Sequence, residues 1–203
     1  MRFLLYLFLV ALVFLLGVHT LTSVNQDIGR HLVLGKLIWG TQQVHQINFF
    51  SYTAPDFPFV NHHWLGEVFL YLGSLAFSLK GLILVKAALI ALAFGLSLAA
   101  FWRRETALIS ATIGVLVALV LVERTDVRPE VLSFLFLGWY LFMLFRMPGS
   151  RWLWSLPFVQ LLWVNSHIYF FLGPVMYMLF LAHTFIRGER FSWRDRRLSV
   201  GLA

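Results

Sequence analysis

The sequence predicts an all-α fold: a polytopic α-helical membrane protein of about six transmembrane helices, with a long first extracytoplasmic loop and an amphipathic juxtamembrane helix. Three observations predict it. Hydrophobic residues make up 60% and charged residues 12% of the 203 positions, with a mean hydropathy of +0.81, whereas soluble domains carry roughly 25% charged residues. The apolar residues fall in long runs, and about 20 helical residues cross a bilayer core. The basic residues are confined to short clusters between those runs, the pattern that fixes topology.

The first run, residues 3–18 (FLLYLFLVALVFLLGV), holds no charge, and its apolar character continues to Leu21. A secretory signal has an apolar core of only about 7–15 residues and ends in small residues. The run here is longer and the following HTLTSVNQD offers no A-x-A, so it reads as a retained span rather than a cleaved signal. Further apolar stretches cover 64–79, 81–102, 107–122, 129–145, 152–169 and 171–186. If all of them crossed, WRRE (102–105) and RMPGSR (146–151) would face outward, against the positive-inside tendency.

The conflict disappears if residues 64–80, WLGEVFLYLGSLAFSLK, lie on the membrane. Glu67, Tyr71, Ser74 and Ser78 recur at steps of four, three and four, the polar stripe of an interfacial helix. Six spans then remain, with a first outer loop over 23–63. Arg2, Arg103, Arg104, Arg146, Arg151, Arg187, Arg190, Arg194, Arg196 and Arg197 collect inside. Arg30, Lys36, Lys80, Arg124 and Arg128 stay outside, and Lys86 lies about one turn into the second span. The expected location is the plasma membrane, a bacterial inner membrane, with the N-terminus and the C-terminal end cytoplasmic. The chain reads as one transmembrane domain over 1–203. Its closing LSVGLA resembles the start of another apolar segment, so the N-terminal part of a larger protein is expected.

Composition also excludes. There is no cysteine, hence no disulfide and no thiolate metal site. The net charge of +7 comes from topology-setting clusters, so no nucleic-acid partner is implied. The spans hold almost no ionisable side chains, whereas a transporter or proton relay would need them near mid-membrane.

Polarity instead gathers at the outer surface. NQDIGRHLVLG (25–35) opens the first loop with Asp27, Arg30 and His31 at helical offsets of three and four, on one face. His45, Asp56, Asn61, His62, His63 and Glu67 follow, then Arg124, Asp126, Arg128 and Glu130 in ERTDVRPE, and Asn165 and His167 in VNSHIYFFLGP. Six of the seven histidines lie in or beside these segments or at the outer end of the first span. This is the placement expected of an enzyme that handles a lipid-linked polar substrate.

QDIGRHLVLGKLIWG resembles the D-x-x-x-H-x-x-x-G opening of bacterial members of the C-type (GT-C fold) glycosyltransferase superfamily. INFFSYTAPDFPFVNHHWLGEV is similar to their loop leading into a surface helix. ERTDVRPEVLS resembles their second outer loop, and LLWVNSHIYFFLG a recurrent late apex. The resemblance covers most of residues 1–187 and departs at one point: many relatives carry two adjacent acids where Asp27 is followed by Ile28.

The resemblance implies a polyprenyl-phosphate-linked sugar as donor, inverting transfer on the outer face, and an acceptor the sequence does not specify. On this expectation Asp27 is the general base, taking the acceptor proton or binding a divalent cation. Arg124, Arg128, Arg30 and His31 would hold the lipid phosphate, for which the guanidinium fork is suited. His62, His63, Glu67, Asp126, Glu130, Asn165 and His167 would bind acceptor or sugar. Each has a plainer reading: Arg124 and Arg128 as snorkelled span ends paired with Glu123, Asp126 or Glu130, Asn165 and His167 as caps for backbone groups. Metal ligands are not specified, since Asp27 with His31 and His63 with Glu67 supply only two apiece. No resident cofactor is implied. The alternative function is a non-catalytic transporter component or scaffold of envelope polysaccharide assembly.

Overall fold

Long apolar runs make helix the regular structure of the described residues, with β-branched residues and glycines tolerated inside it. The computed structural model describes residues 2–18, 27–48, 50–54, 57–122 and 126–187. Among these residues seven α-helices follow one another: α1 (Arg2–Gly17), α2 (Ile28–Thr41), α3 (Trp64–Phe101), α4 (Ala107–Val122), α5 (Glu130–Leu141), α6 (Ser155–Ser166) and α7 (Leu172–Ile186). A π turn, Phe142–Arg146, prolongs α5, and 3-10 turns, Arg151–Trp154 and Ile168–Phe171, lead into α6 and α7. Among the described residues no strand forms beyond the isolated bridge between Ile47 and Pro58.

Among the described residues two helices are long and apolar enough to cross a membrane: α3, and the stretch Ile168–Ile186 that contains α7. The structure thus supports membrane association with fewer spanning helices than the apolar runs suggest. The 16 residues of α1 and of α4 rise about 24 Å at 1.5 Å each, short of a hydrocarbon core of about 30 Å. α5 and α6 have 12 residues each, because turns consume the ends of their apolar runs.

α3 is the axis of the fold, touching α1, α2, α4, α5 and α6. It breaks at Ser78, whose φ of 61° and ψ of 176° fall where essentially only glycine sits without strain. The break falls two residues before the predicted boundary between the interfacial helix and the next span. Gly81 is required beside it, since a Cβ there would lie 2.5 Å from the Cβ of Phe77.

Along the expected polar stripe, exposure rises from head to tail. Glu67, at its head, is fully buried against α2, Tyr71 and Ser74 are half-buried, and only Ser78 is exposed. The reason is Gly35, whose missing side chain lets α2 press onto the backbone of Glu67 and the Cβ of Tyr71.

Two apolar cores hold the helices. Leu9, Val13, Ile90, Phe94, Ala111 and Val131 join α1, α3, α4 and α5. Tyr140, Met143, Leu153, Trp163 and Phe180 join α5, α6 and α7. A smaller cluster of Leu70, Leu82 and Val127 lies beneath the polar end of the bundle.

Candidate functional site

The site is assembled from the start of α2, the start of α3, the segment before α5 and the turn after α6. Asp27 is the N-cap of α2, yet its side chain makes no capping bond. Its Oδ1 instead accepts from Arg128 Nη2 at 2.9 Å, across 101 residues of chain. The same Nη2 lies 3.0 Å from Asp126 Oδ2, while Arg128 Nε is buried without a partner. Arg30 approaches the other oxygen of Asp27 at 3.5 Å, and His31 Nε2 lies 3.9 Å from it. The offsets of three and four seen in the sequence thus close one wall.

The second wall is buried. Glu67 is 0% exposed and His31 is 3% exposed, and they meet at 2.9 Å between Oε1 and Nδ1. Asn61 Nδ2 donates to the other Glu67 oxygen at 2.6 Å, while its own Oδ1 accepts from His63 N at 2.9 Å and so forms the turn that starts α3. A proton on His31 Nδ1 satisfies Glu67, while Nε2 faces Asp27. Burying a carboxylate is tolerable only with such partners, and Glu67 has one at each oxygen.

Histidines line the third side. The rings of His31 and His63 are 6.1 Å apart, and those of His63 and His167 are 5.0 Å apart. His167 Nδ1 lies 3.0 Å from Ser133 Oγ, which accepts from Trp163 Nε1 at 2.7 Å. Gly66 permits this closeness: a Cβ there would lie 2.8 Å from both Pro129 Cβ and the Ser166 carbonyl oxygen.

Electrostatics divide the groups. Partial burial pushes the Asp27 carboxyl up, but Arg128, its own backbone amide, His31 and Arg30 outweigh this and hold it below the ordinary value. Burial, then the charge of His31, pushes His63 down despite the opposing pull of Glu67. Burial, with His63 and His31 adding to it, pushes His167 down to about 4. Asp27 is therefore held charged, and His63 and His167 are held neutral.

The structure brings together Asp27, Arg30, His31, Glu67, Asp126 and Arg128 in one network, with His63 and His167 beside it. His62 is exposed. Glu130 is half-buried in the first turn of α5 and joins no ion pair among the described residues. Asn165 is occupied locally, its Nδ2 donating to Leu161 O at 2.8 Å and its Oδ1 accepting from Trp64 Nε1 at 3.0 Å. Arg124 and Asp56 lie outside the described residues. Among the described residues no group of three or more His, Cys, Asp or Glu is arranged to hold a metal ion. Asn61, Ser133 and Trp163 were not among the predicted site residues. Asn61 had a signal, an Asx residue two positions before a helix N-cap, whereas Ser133 and Trp163 sit in apolar runs that conceal them.

Compared with known proteins, the chain matches no family model, no curated protein and no solved structure.

Proposed function

We propose that the chain is a six-span inner-membrane protein working as a C-type glycosyltransferase, which takes a sugar from a polyprenyl-phosphate carrier at the outer face. The observation that carries this reading is the meeting of Asp27 and Arg128, 101 residues apart, at 2.9 Å. A proton acceptor and a phosphate-binding group then share one place. Both stay reachable, their side chains 38% and 36% exposed.

The chemistry follows from these groups. An acceptor hydroxyl attacks the anomeric carbon, forming the new C–O bond as the bond to the phosphate oxygen breaks. The electron pair leaves with the lipid phosphate, and the acceptor proton goes to Asp27. Arg128 has to exchange one carboxylate for the phosphate. That exchange removes from Asp27 the main charge depressing its basicity, so donor binding raises the strength of the base. His31 Nε2 lies 3.9 Å from Asp27 while Glu67 fixes its ring through Nδ1, so the histidine positions the carboxylate that takes the proton.

One observation favours the second reading, a non-catalytic transporter component or assembly scaffold: Asp27 is already closed in ion pairs with Arg128 and Arg30. Magnitudes separate the two. Partly exposed ion pairs contribute about 0–1 kcal/mol, whereas a general base contributes roughly a hundred- to ten-thousand-fold in rate. The Asp27→Asn variant, in the full chain and in membranes, should fold like wild type and lose transfer from a radiolabelled polyprenyl-phosphate sugar. Near-normal transfer by this variant overturns the assignment of the base, and no transfer by the folded wild-type chain from any such donor favours the scaffold.

A further inference from the structure

At the end of the bundle opposite Asp27, an apolar cavity of about 370 Å³ lies between α3, α4 and the second half of α5. Phe94 and Phe101 wall it from α3, Gly114 from α4 and Leu137 from α5. Ligand sites commonly span about 300–1,000 Å³. Two hydroxyls reach this one, and both are committed to backbone: Ser97 Oγ donates to Ala93 O at 2.8 Å and Ser110 Oγ to Phe101 O at 3.2 Å. The wall therefore offers dispersion contact and no group to recognise a polar metabolite. Hydrocarbon is what it fits.

The rim has the opposite character. Arg103 and Arg104 follow Phe101 within two and three residues, in a turn clamped by Thr106 Oγ1 donating to Phe101 O at 2.9 Å. The rings of Phe101 and Phe145 are 5.4 Å apart, which brings Arg146, the next residue, to the same rim. Arg104 and Arg146 are exposed and Arg103 is half-buried. No ion pair engages these three among the described residues, although Glu105 shares the turn. An occupant therefore needs an alkyl chain reaching into the bundle and a negative group at its end.

We propose that this cavity holds one acyl chain of an anionic glycerophospholipid whose phosphate lies among Arg103, Arg104 and Arg146. The guanidinium fork suits phosphate, and basic pockets between helices at a membrane surface take anionic headgroups. The site is distinct from the Asp27 network and does not depend on the transferase reading; it rests only on the chain lying in a membrane.

The test uses the full chain in a mild non-ionic detergent, with bound lipid counted by native mass spectrometry. Dioleoyl phosphatidylglycerol is compared with dioleoyl phosphatidylcholine, which shares the chains and lacks the net charge. Wild type should retain the anionic lipid preferentially. Arg104→Gln should weaken that retention about five-fold, and the triple Arg103→Gln, Arg104→Gln, Arg146→Gln variant should abolish the preference, since each basic residue near a lipid surface is worth about 1 kcal/mol. Gly114→Leu fills the cavity and should abolish retention with all three arginines intact. Val117→Phe, at an exposed position of the same wall, does the same if the first variant fails to fold. Soluble glycerol 3-phosphate, which has the phosphate without the chain, should not compete. Equal retention of the two lipids, unchanged retention in folded cavity-filled variants, displacement by glycerol 3-phosphate, or a lipid-free dimer of wild type would each overturn the proposal.

Discussion

Lowering the pH from 7 to 5 is expected to destabilise the folded chain by about 2 kcal/mol through His167 alone. The ring is 8% exposed, in the turn between α6 and the 3-10 turn Ile168–Phe171. Trp163 Nε1 donates to Ser133 Oγ at 2.7 Å, so the Ser133 hydroxyl proton goes to His167 Nδ1 at 3.0 Å. The same nitrogen accepts from Tyr169 N at 3.5 Å. An Nδ1 that accepts twice has no place for a proton of its own, and burial with His63 and His31 nearby penalises a charge on the ring, lowering its pKa from 6.5 to about 4. The unfolded ring protonates below pH 6.5 while the folded ring waits until about 4. In that window the unfolded chain binds more protons, so stability is complete above 6.5 and falls as the pH falls through the window. One pKa unit corresponds to about 1.4 kcal/mol, which gives about 2 kcal/mol by pH 5. His63 is shifted in the same direction, by burial first and the charge of His31 next, and adds to the loss. The assay is unfolding by sodium dodecyl sulfate in mixed micelles, followed by tryptophan fluorescence at pH 7, 6 and 5. His167→Asn sets an amide oxygen near the position of Nδ1 and cannot titrate, so it should retain only the smaller slope due to His63. A flat wild-type profile, or a variant as steep as wild type, would refute the reasoning.

Two further outcomes are expected. Gly66→Ala puts a Cβ 2.8 Å from the Pro129 ring and the Ser166 carbonyl, neither of which yields easily, and should cost about 1–3 kcal/mol in the same unfolding assay; a neutral result means that α3 and α5 are not so closely apposed. For topology, Tyr52→Cys, at a position 99% exposed, should be labelled in intact cells by an impermeant maleimide while Pro148→Cys is not, and the reverse pattern would invert the proposed orientation.

The helical class and the first wall of the site were legible because they rest on local spacing. Asp27, Arg30 and His31 lie within one turn and a half, so their shared face needs only the α-helical period. The contact from Asp27 to Arg128 was legible at one remove: both open or close apolar runs, so both collect at one end of a bundle, but no pattern gives their 2.9 Å approach. The stripe headed by Glu67 shows where periodicity stops informing. A polar stripe at steps of four and three fits a headgroup surface and a polar neighbouring helix equally well. What decides between them is Gly35, 32 positions earlier, whose lack of a side chain lets α2 cover Glu67. The number of spans was legible only in part for a related reason: apolar runs measure composition, while α5 and α6 give up their ends to a π turn and a 3-10 turn.

The polar network divides into two halves with different physical duties, and His31 belongs to both. Glu67, Asn61, His167 and Ser133 are all under 9% exposed, where an unpaired charge or polar group costs several kcal/mol; the bond of Glu67 to His31 ties α3 to α2, and that of Ser133 to His167 ties α5 to the end of α6. Asp27, Arg30 and Arg128 are more than a third exposed, where ion pairs hold little free energy and exchange readily for a ligand. His31 presents Nδ1 to the closed half and Nε2 to the open half. An ion pair that served only to anchor helix ends would not need a histidine held rigid behind it by a fully buried carboxylate. The rigid histidine instead fixes where the exposed carboxylate sits, whatever ligand that carboxylate meets.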